Sequence, residues 1–262
     1  MRRVAVSIQG RTYDEIIEHT RQIIEKAEKM ENKYFDSDVR VEIIEFRADY
    51  YENICIKTEL LPLLQEIKKM IGTRKLLFTF RSEEEGGELR HDRAGFMLED
   101  IYDWVIAGKL ADMVDIELMS GNYRVARFAS KCHDAGIEVV LSYHNFSETP
   151  RDDKLMEMLH NMEILGGDVL KIAVTPAKEL DVRRLNELTD KIVTRGFREE
   201  KDNLNKPIVT ISMGEKGHSS RLKVGDDGCY FTFAYVGELS APGQIELEDI
   251  FAELNPEGAS EE

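Results

Sequence analysis

The sequence predicts a single (β/α)8 barrel, and three observations carry that expectation. Short runs of β-branched and aromatic residues alternate with longer amphipathic stretches along the whole chain. Eight such units fit within 262 residues, a length that one barrel commonly fills. No Gly/Ser/Pro-rich linker or shift in composition divides them. The barrel is expected over residues 1–254, with "NPEGASEE" (255–262) as a disordered tail. A doubly wound open sheet is the alternative, but the first strand runs into "QGRTYD" and not into a GxGxxG turn.

In chain order, strands are expected at "RVAVSI" (3–8), "RVEIIEFR" (40–47), "KLLFTFR" (75–81), "MVDIEL" (113–118), "IEVVLSYH" (137–144), "VLKIAV" (169–174), "PIVTISM" (207–213) and "CYFTFAY" (229–235). Each is a strand-length run of β-formers. Helices are expected between them. In "TYDEIIEHTRQIIEKAEKM" (12–30) and "AKELDVRRLNELTDKIVTRG" (177–196) apolar residues recur every three or four positions, with Gly196 as a C-terminal stop. "QIELEDIFAEL" (244–254) supplies the eighth helix.

A formal charge of −16, from 51 acidic against 35 basic residues, excludes a chain built to coat nucleic acid or anionic membrane. There is no apolar run of about 18 residues, and "MRRVAVSIQGRTYDE" turns polar too soon for a secretory signal, so a cytoplasmic protein is expected. Cys55, Cys132 and Cys229 lack CxxC spacing and read as small buried apolar residues.

Side chains alternate along a strand, so parity groups Glu45 with Arg47, Thr79 with Arg81, Asp115 with Glu117, and Ser142 with His144, while Lys171 shares its face with Val169 and Ala173. The opposite parity carries Ile44, Phe46, Phe78, Phe80, Ile116, Leu118, Leu170 and Ile172, which suit the helix-facing outside of a barrel. The charged set must then face the interior, near the C-terminal ends of its strands where barrel enzymes build their sites. Three carboxylates, three cations and one histidine can neutralise one another, so an interior ion-pair network with a purely structural role is one reading. A functional site is the other, because branched apolar side chains would serve stability better.

Lys171 sharpens the second reading. A barrel has no edge from which this lysine could reach solvent, and a nucleophilic amine must lose its proton. Lowering its pKa from about 10.4 to roughly 7–8 requires on the order of 4 kcal/mol, which desolvation and the cations Arg47 and Arg81 can supply. Such an amine forms a Schiff base with a ketone or aldehyde, and His144 on the adjacent strand can move the protons.

Three loops add to this set. "RSEEEGGE" (81–88) lets Glu85 reach back toward the site, or is a solvated acidic turn. "MGEKGHSSRL" (213–222) has the look of an anion-binding loop in which Arg221 clamps a carboxylate or phosphate, with His218 an exposed neighbour. "ELSAPGQIE" (238–246) has the makings of a lid that hydrogen-bonds a polyhydroxylated ligand through Ser240 and Gln244. His19, His91, His133 and His160 fall on helices or turns without metal-ligand spacing, and no metal site is expected.

Taken in order, "VSIQG", "EFRAD", "TFRSEEEGG", "VDIEL", "SYHNFSETP", "LKIAVTP", "ISMGEKGHSSR" and "SAPGQ" resemble type I 3-dehydroquinate dehydratase nearly end to end. The resemblance implies syn elimination of water from 3-dehydroquinate, a small-molecule substrate, to give 3-dehydroshikimate, with neither metal nor organic cofactor. It implies Lys171 as the imine-forming amine, His144 as general base and acid, and Glu85 as the carboxylate that orients the histidine. It further implies Arg221 on the substrate carboxylate and Ser7, Glu45, Arg47, Arg81, Ser240 and Gln244 around the rest of the substrate. Members are often homodimers, so a homodimer is expected.

Two departures accompany the resemblance. The first strand starts almost at residue 1, so the N-terminal hairpin that covers the barrel bottom in some members is expected to be missing. Asn145 stands where an aspartate is frequent. Competing readings are a class I aldolase-like Schiff-base barrel and a non-catalytic scaffold barrel.

Overall fold

The computed structural model describes residues 1–88, 97–195, 204–239 and 241–256. His91, Gly196, Ser240 and the tail from 257 onward lie outside the described residues. Among the described residues nine parallel strands form one curled sheet: β1 (Arg2–Ile8), β2 (Val39–Arg47), β3 (Lys75–Thr79), β4 (Met113–Glu117), β5 (Glu138–Asn145), β6 (Val169–Val174), β7 (Ile208–Ser212), β8 (Phe231–Tyr235) and the two-residue β9 (Ile245–Glu246). Their order, β7-β6-β5-β4-β3-β2-β1-β8-β9, sets β8 against β1. The curl closes where the Tyr230 amide donates to the Ile208 carbonyl (2.9 Å) and the Thr210 amide to Cys229 Sγ (3.3 Å). This is the barrel that the sequence predicts.

The described helices are α1 (Tyr13–Lys33), α2 (Lys57–Ile71), α3 (Leu98–Ala107), α4 (Asn122–Ala135), α5 (Asp152–Ile164), α6 (Glu179–Arg195), the single turn α7 (His218–Arg221) and α8 (Leu247–Leu254). Among the described residues no helix is long and apolar enough to cross a membrane. Helix α1 starts where its sequence says: the Thr12 hydroxyl accepts from the Glu15 amide, and the Glu15 side chain reaches back to the Thr12 amide. The predicted last helix begins three residues late. Ile245 and Glu246 are held extended by pairing with Ala234 and Tyr235, and only then does the helix start.

Parity sorts the side chains as expected. Ile44, Phe46, Phe78, Phe80, Ile116, Leu118, Leu170 and Ile172 pack in the layer between strands and helices. Inside the barrel, a plug of Ala5, Ile43, Leu77, Met113, Val140, Val169, Val209 and Phe231 fills the lower part. Two residues further along the same strands, that apolar plug gives way to Ser7, Glu45, Thr79, Asp115, Ser142 and Lys171, all buried. Cys132 and Cys229 are buried as expected, whereas Cys55 is only partly so.

Candidate active site

The polar layer opens into a cavity lined by Glu45, Arg47, Arg81, Glu85, His144, Lys171, Arg221 and Gln244, with Phe146, Ala173, Ile211, Met213 and Phe233 as its apolar wall. Eight of the ten expected site residues therefore meet in one space. Ser7 adjoins it, donating from Oγ to Glu45 Oε2 (2.5 Å), while Thr79 donates to Glu45 Oε1 (2.8 Å). Ser240 falls outside the described residues.

Lys171 sits on β6 beside Ser142 of β5 and Val209 of β7. Its side chain is 5% exposed, with Nζ 3.4 Å from Asp115 Oδ2 and 4.6 Å from the centroid of the Phe233 ring. Asp115 is committed elsewhere: it pairs with Arg81 Nη2 at 2.9 Å and accepts from Ser142 Oγ at 2.6 Å. Burial resists its ionisation, but Arg81 and Lys171 outweigh that and hold it below the usual aspartate range. Lys171 is left with a long, shared contact. Burial lowers its pKa against the pull of Asp115, and the Arg81 charge lowers it further.

His144, the last but one residue of β5, lies within hydrogen-bond reach of a single carboxylate oxygen. Glu85 Oε2 accepts from the His144 amide at 3.1 Å and lies 2.8 Å from Nδ1. With the Nδ1 proton directed at that oxygen, the Nε2 lone pair is left for chemistry. Burial, with the charges of Arg81, Lys171 and Arg47, holds the imidazole well below its usual range, so it is neutral at pH 7. Glu85 is pushed up to about 8 by burial and by the Glu117 charge, against the pull of Arg81.

Glu85 is placed by a short 3-10 turn, Glu83–Glu85, closed by Gly86 at φ 84. A Cβ on Gly86 would lie 2.4 Å from Phe146 Cζ, so glycine lets the Phe146 ring lie over the loop. The loops after β7 and β8 approach as closely: a Cβ on Gly243 would lie 2.4 Å from backbone atoms of Gly214.

Arg81 lies just past the end of β3, two residues beyond its last paired position. Its Nη1 donates to Glu117 Oε1 and to Ser142 Oγ, both at 3.0 Å, and Nη2 pairs with Asp115, so it contributes mainly charge to the cavity. Arg221 is its opposite. The guanidinium is buried, Nη2 donates to the Pro242 carbonyl at 2.9 Å, and among the described residues Nε has no partner and no carboxylate pairs with it. Desolvation alone pushes its pKa down to about 10. A buried cation without a carboxylate is a prepared seat for an anion. His218, exposed as expected, turns away to Glu253 at 2.8 Å.

Asn145 resolves a departure. Its Oδ1 accepts from the amides of Ser147 (2.9 Å) and Glu148 (3.0 Å), which any carboxylate oxygen would also do, and its Nδ2 donates to Tyr143 Oη at 3.0 Å. The loop after His144 is therefore held by an amide that satisfies both roles.

The sequence reading missed Asp49. Arg47 Nε and Nη2 each donate to it at 2.8 Å, in a bidentate pair whose side chains are 7% and 0% exposed. Its parity with Glu45 and Arg47 was the available signal. The apolar wall was also missed, although Phe233 has the interior parity of β8.

Comparison with known proteins points to one family. The type I 3-dehydroquinase profile matches residues 5–259. A 3-dehydroquinate dehydratase of Klebsiella pneumoniae (strain 342) is 33% identical over 249 residues, covering 93% of this chain and 88% of the relative. One of Bacillus velezensis is 34% identical over 217 residues, covering 83% and 82%. Among solved structures, type I 3-dehydroquinate dehydratase of Clostridium difficile, with covalently modified comenic acid, superposes with a TM-score of 0.82 at 31% identity, covering 98% of this chain and 93% of its own.

Proposed function

The chain belongs to the type I 3-dehydroquinase family, and from that premise we propose that it converts 3-dehydroquinate to 3-dehydroshikimate and water through an imine on Lys171. The observation that carries the mechanism is the pairing of a buried, weakly held amine with a neutral imidazole on the next strand. Arg221 takes the substrate carboxylate, which supplies the counter-charge its burial lacks. Glu45, Arg47 and Gln244, with Ser7 behind Glu45, hold the hydroxyls, and Ser240 is assigned to the same task from its place in the sequence motif alone.

The neutral Lys171 amine adds to the ketone carbon, and His144 relays the protons needed for the resulting carbinolamine to lose its hydroxyl as water. The protonated iminium is an electron sink next to the carbon that loses a proton. His144 Nε2 takes that proton, the C–H electrons pass into an enamine, and their return expels the β-hydroxyl. That hydroxyl receives the proton His144 holds and leaves as water. One imidazole serving both steps from one side makes the elimination syn. Water then adds to the conjugated iminium, releasing the enone and regenerating the amine. The imidazolium charge, 2.8 Å away, favours the ionised form of Glu85, which then steadies it between the two transfers, and Asp115, with the Phe233 ring, offsets the iminium charge.

Mixing the protein with 3-dehydroquinate should raise the ultraviolet absorbance of a conjugated enone. Lys171→Ala should give a flat trace, and His144→Ala should slow turnover by several orders of magnitude. A flat trace from the folded, unsubstituted protein would favour the aldolase and scaffold readings, and near-full activity of His144→Ala would move the acid–base role elsewhere.

A further inference from the structure

We propose that Asp49 is a positioning residue that couples the Arg47 guanidinium to the loop carrying Glu85, setting substrate grip and histidine orientation together. The proposal rests on the reading above for what Arg47 and Glu85 do. Asp49 does not line the cavity, so it acts through others. Among the described residues its fully buried carboxylate accepts four hydrogen bonds. Oδ1 accepts from Arg47 Nε at 2.8 Å and from the Arg81 amide at 3.4 Å. Oδ2 accepts from Arg47 Nη2 at 2.8 Å and from the Glu88 amide at 3.1 Å.

The two backbone donors bracket residues 81–88. Within that bracket the Glu85 and Gly87 amides fold back onto the Ser82 carbonyl at 3.1 and 2.7 Å. The loop is thus closed at its base by Asp49, and at its tip Glu85 meets His144 Nδ1. Burying a carboxylate here is costly unless every acceptor position is used. Here its partners are one cavity-lining arginine and the two ends of one cavity-lining loop. A displacement of Asp49 would therefore move both sides of the cavity.

Asp49→Asn keeps one oxygen for Arg47 Nε and the Arg81 amide but turns an NH2 toward Arg47 Nη2 and the Glu88 amide, setting donors against donors. Hydrogen exchange across 82–88 should quicken about tenfold or more. KM should rise and kcat fall, each by about tenfold, and the kcat loss should disappear in a Glu85→Gln background because both changes disable one unit. Glu88→Pro removes the loop-end amide together with the side chain and φ freedom, whereas Glu88→Ala removes the side chain and keeps the amide; the proline should lower kcat with KM near its starting value and the alanine should change neither, and the pair decides the loop arm even if Asp49→Asn does not fold. Unchanged exchange across 82–88, or kcat losses that simply multiply with Glu85→Gln, would overturn the coupling. An inactive unsubstituted protein would instead remove the functional reading, and the exchange comparison would still decide whether Asp49 pins the loop.

Discussion

Arg221→Met should make the free protein more stable while ruining it as a binder. The drop of the Arg221 pKa from the ordinary arginine range to about 10 corresponds to about 3 kcal/mol set against its charge. Methionine keeps the apolar stem and removes the charge, at the loss of the hydrogen bond to Pro242, which contributes about 1 kcal/mol. The net gain is about 2 kcal/mol, or a rise in Tm of roughly 4–8 °C for a domain of this size. Substrate affinity should fall on the order of a hundredfold or more, since a desolvated charge pair is lost. Thermal unfolding with and without 3-dehydroquinate reads both effects. The unsubstituted protein should melt higher with ligand, and the variant should melt higher without it and gain little from it. A variant that melts lower than the parent and keeps its KM would refute the assignment of Arg221 as an unpaired anion seat.

Two further substitutions test the histidine and its loop. The Glu85 pKa of about 8 in the folded protein lies above its ordinary 4.5, so the folded state binds the extra proton and stability falls as pH rises from 4.5 through 8. His144, held below 6.5, acts in the opposite direction only below 6.5. Between pH 6.5 and 8 the parent should therefore lose about 2 kcal/mol that Glu85→Gln retains, read from urea midpoints; equal slopes would mean that Glu85 is ionised throughout. Asn145→Asp keeps both amides of the loop satisfied and should cost less than threefold in kcat/KM, whereas Asn145→Ala should cost at least tenfold; the reverse order would detach the loop from His144.

Much of this architecture was legible because strand parity is a strict rule. The alternation in "VEIIEFR", "VDIEL" and "VLKIAV" placed Glu45, Asp115 and Lys171 inside the barrel, and the structure shows an apolar plug beneath them. The pairing of His144 with Glu85 was less legible, since it depends on a 3-10 turn and a left-handed glycine that return the chain toward β5. Asp49 was missed because it lies past the strand end, where parity is no longer expected to hold, yet the turn Ala48–Tyr50 keeps its side chain directed inward. Ile245 and Glu246 were read as helix because nothing local favours extension there; their pairing to β8 is a tertiary effect. The division of labour between the two arginines was likewise invisible. Arg81 is held by Glu117, Ser142 and Asp115, whereas among the described residues no carboxylate pairs with Arg221, and only the packed structure distinguishes them.

The central claim is that Lys171 bonds covalently to the substrate, and borohydride tests it directly. Reduction in the presence of 3-dehydroquinate should fix one ligand as a stable secondary amine, and peptide mass spectrometry should place it on Lys171 with loss of activity in proportion. Active protein that emerges with Lys171 unmodified, or with the ligand on another lysine, would contradict the account.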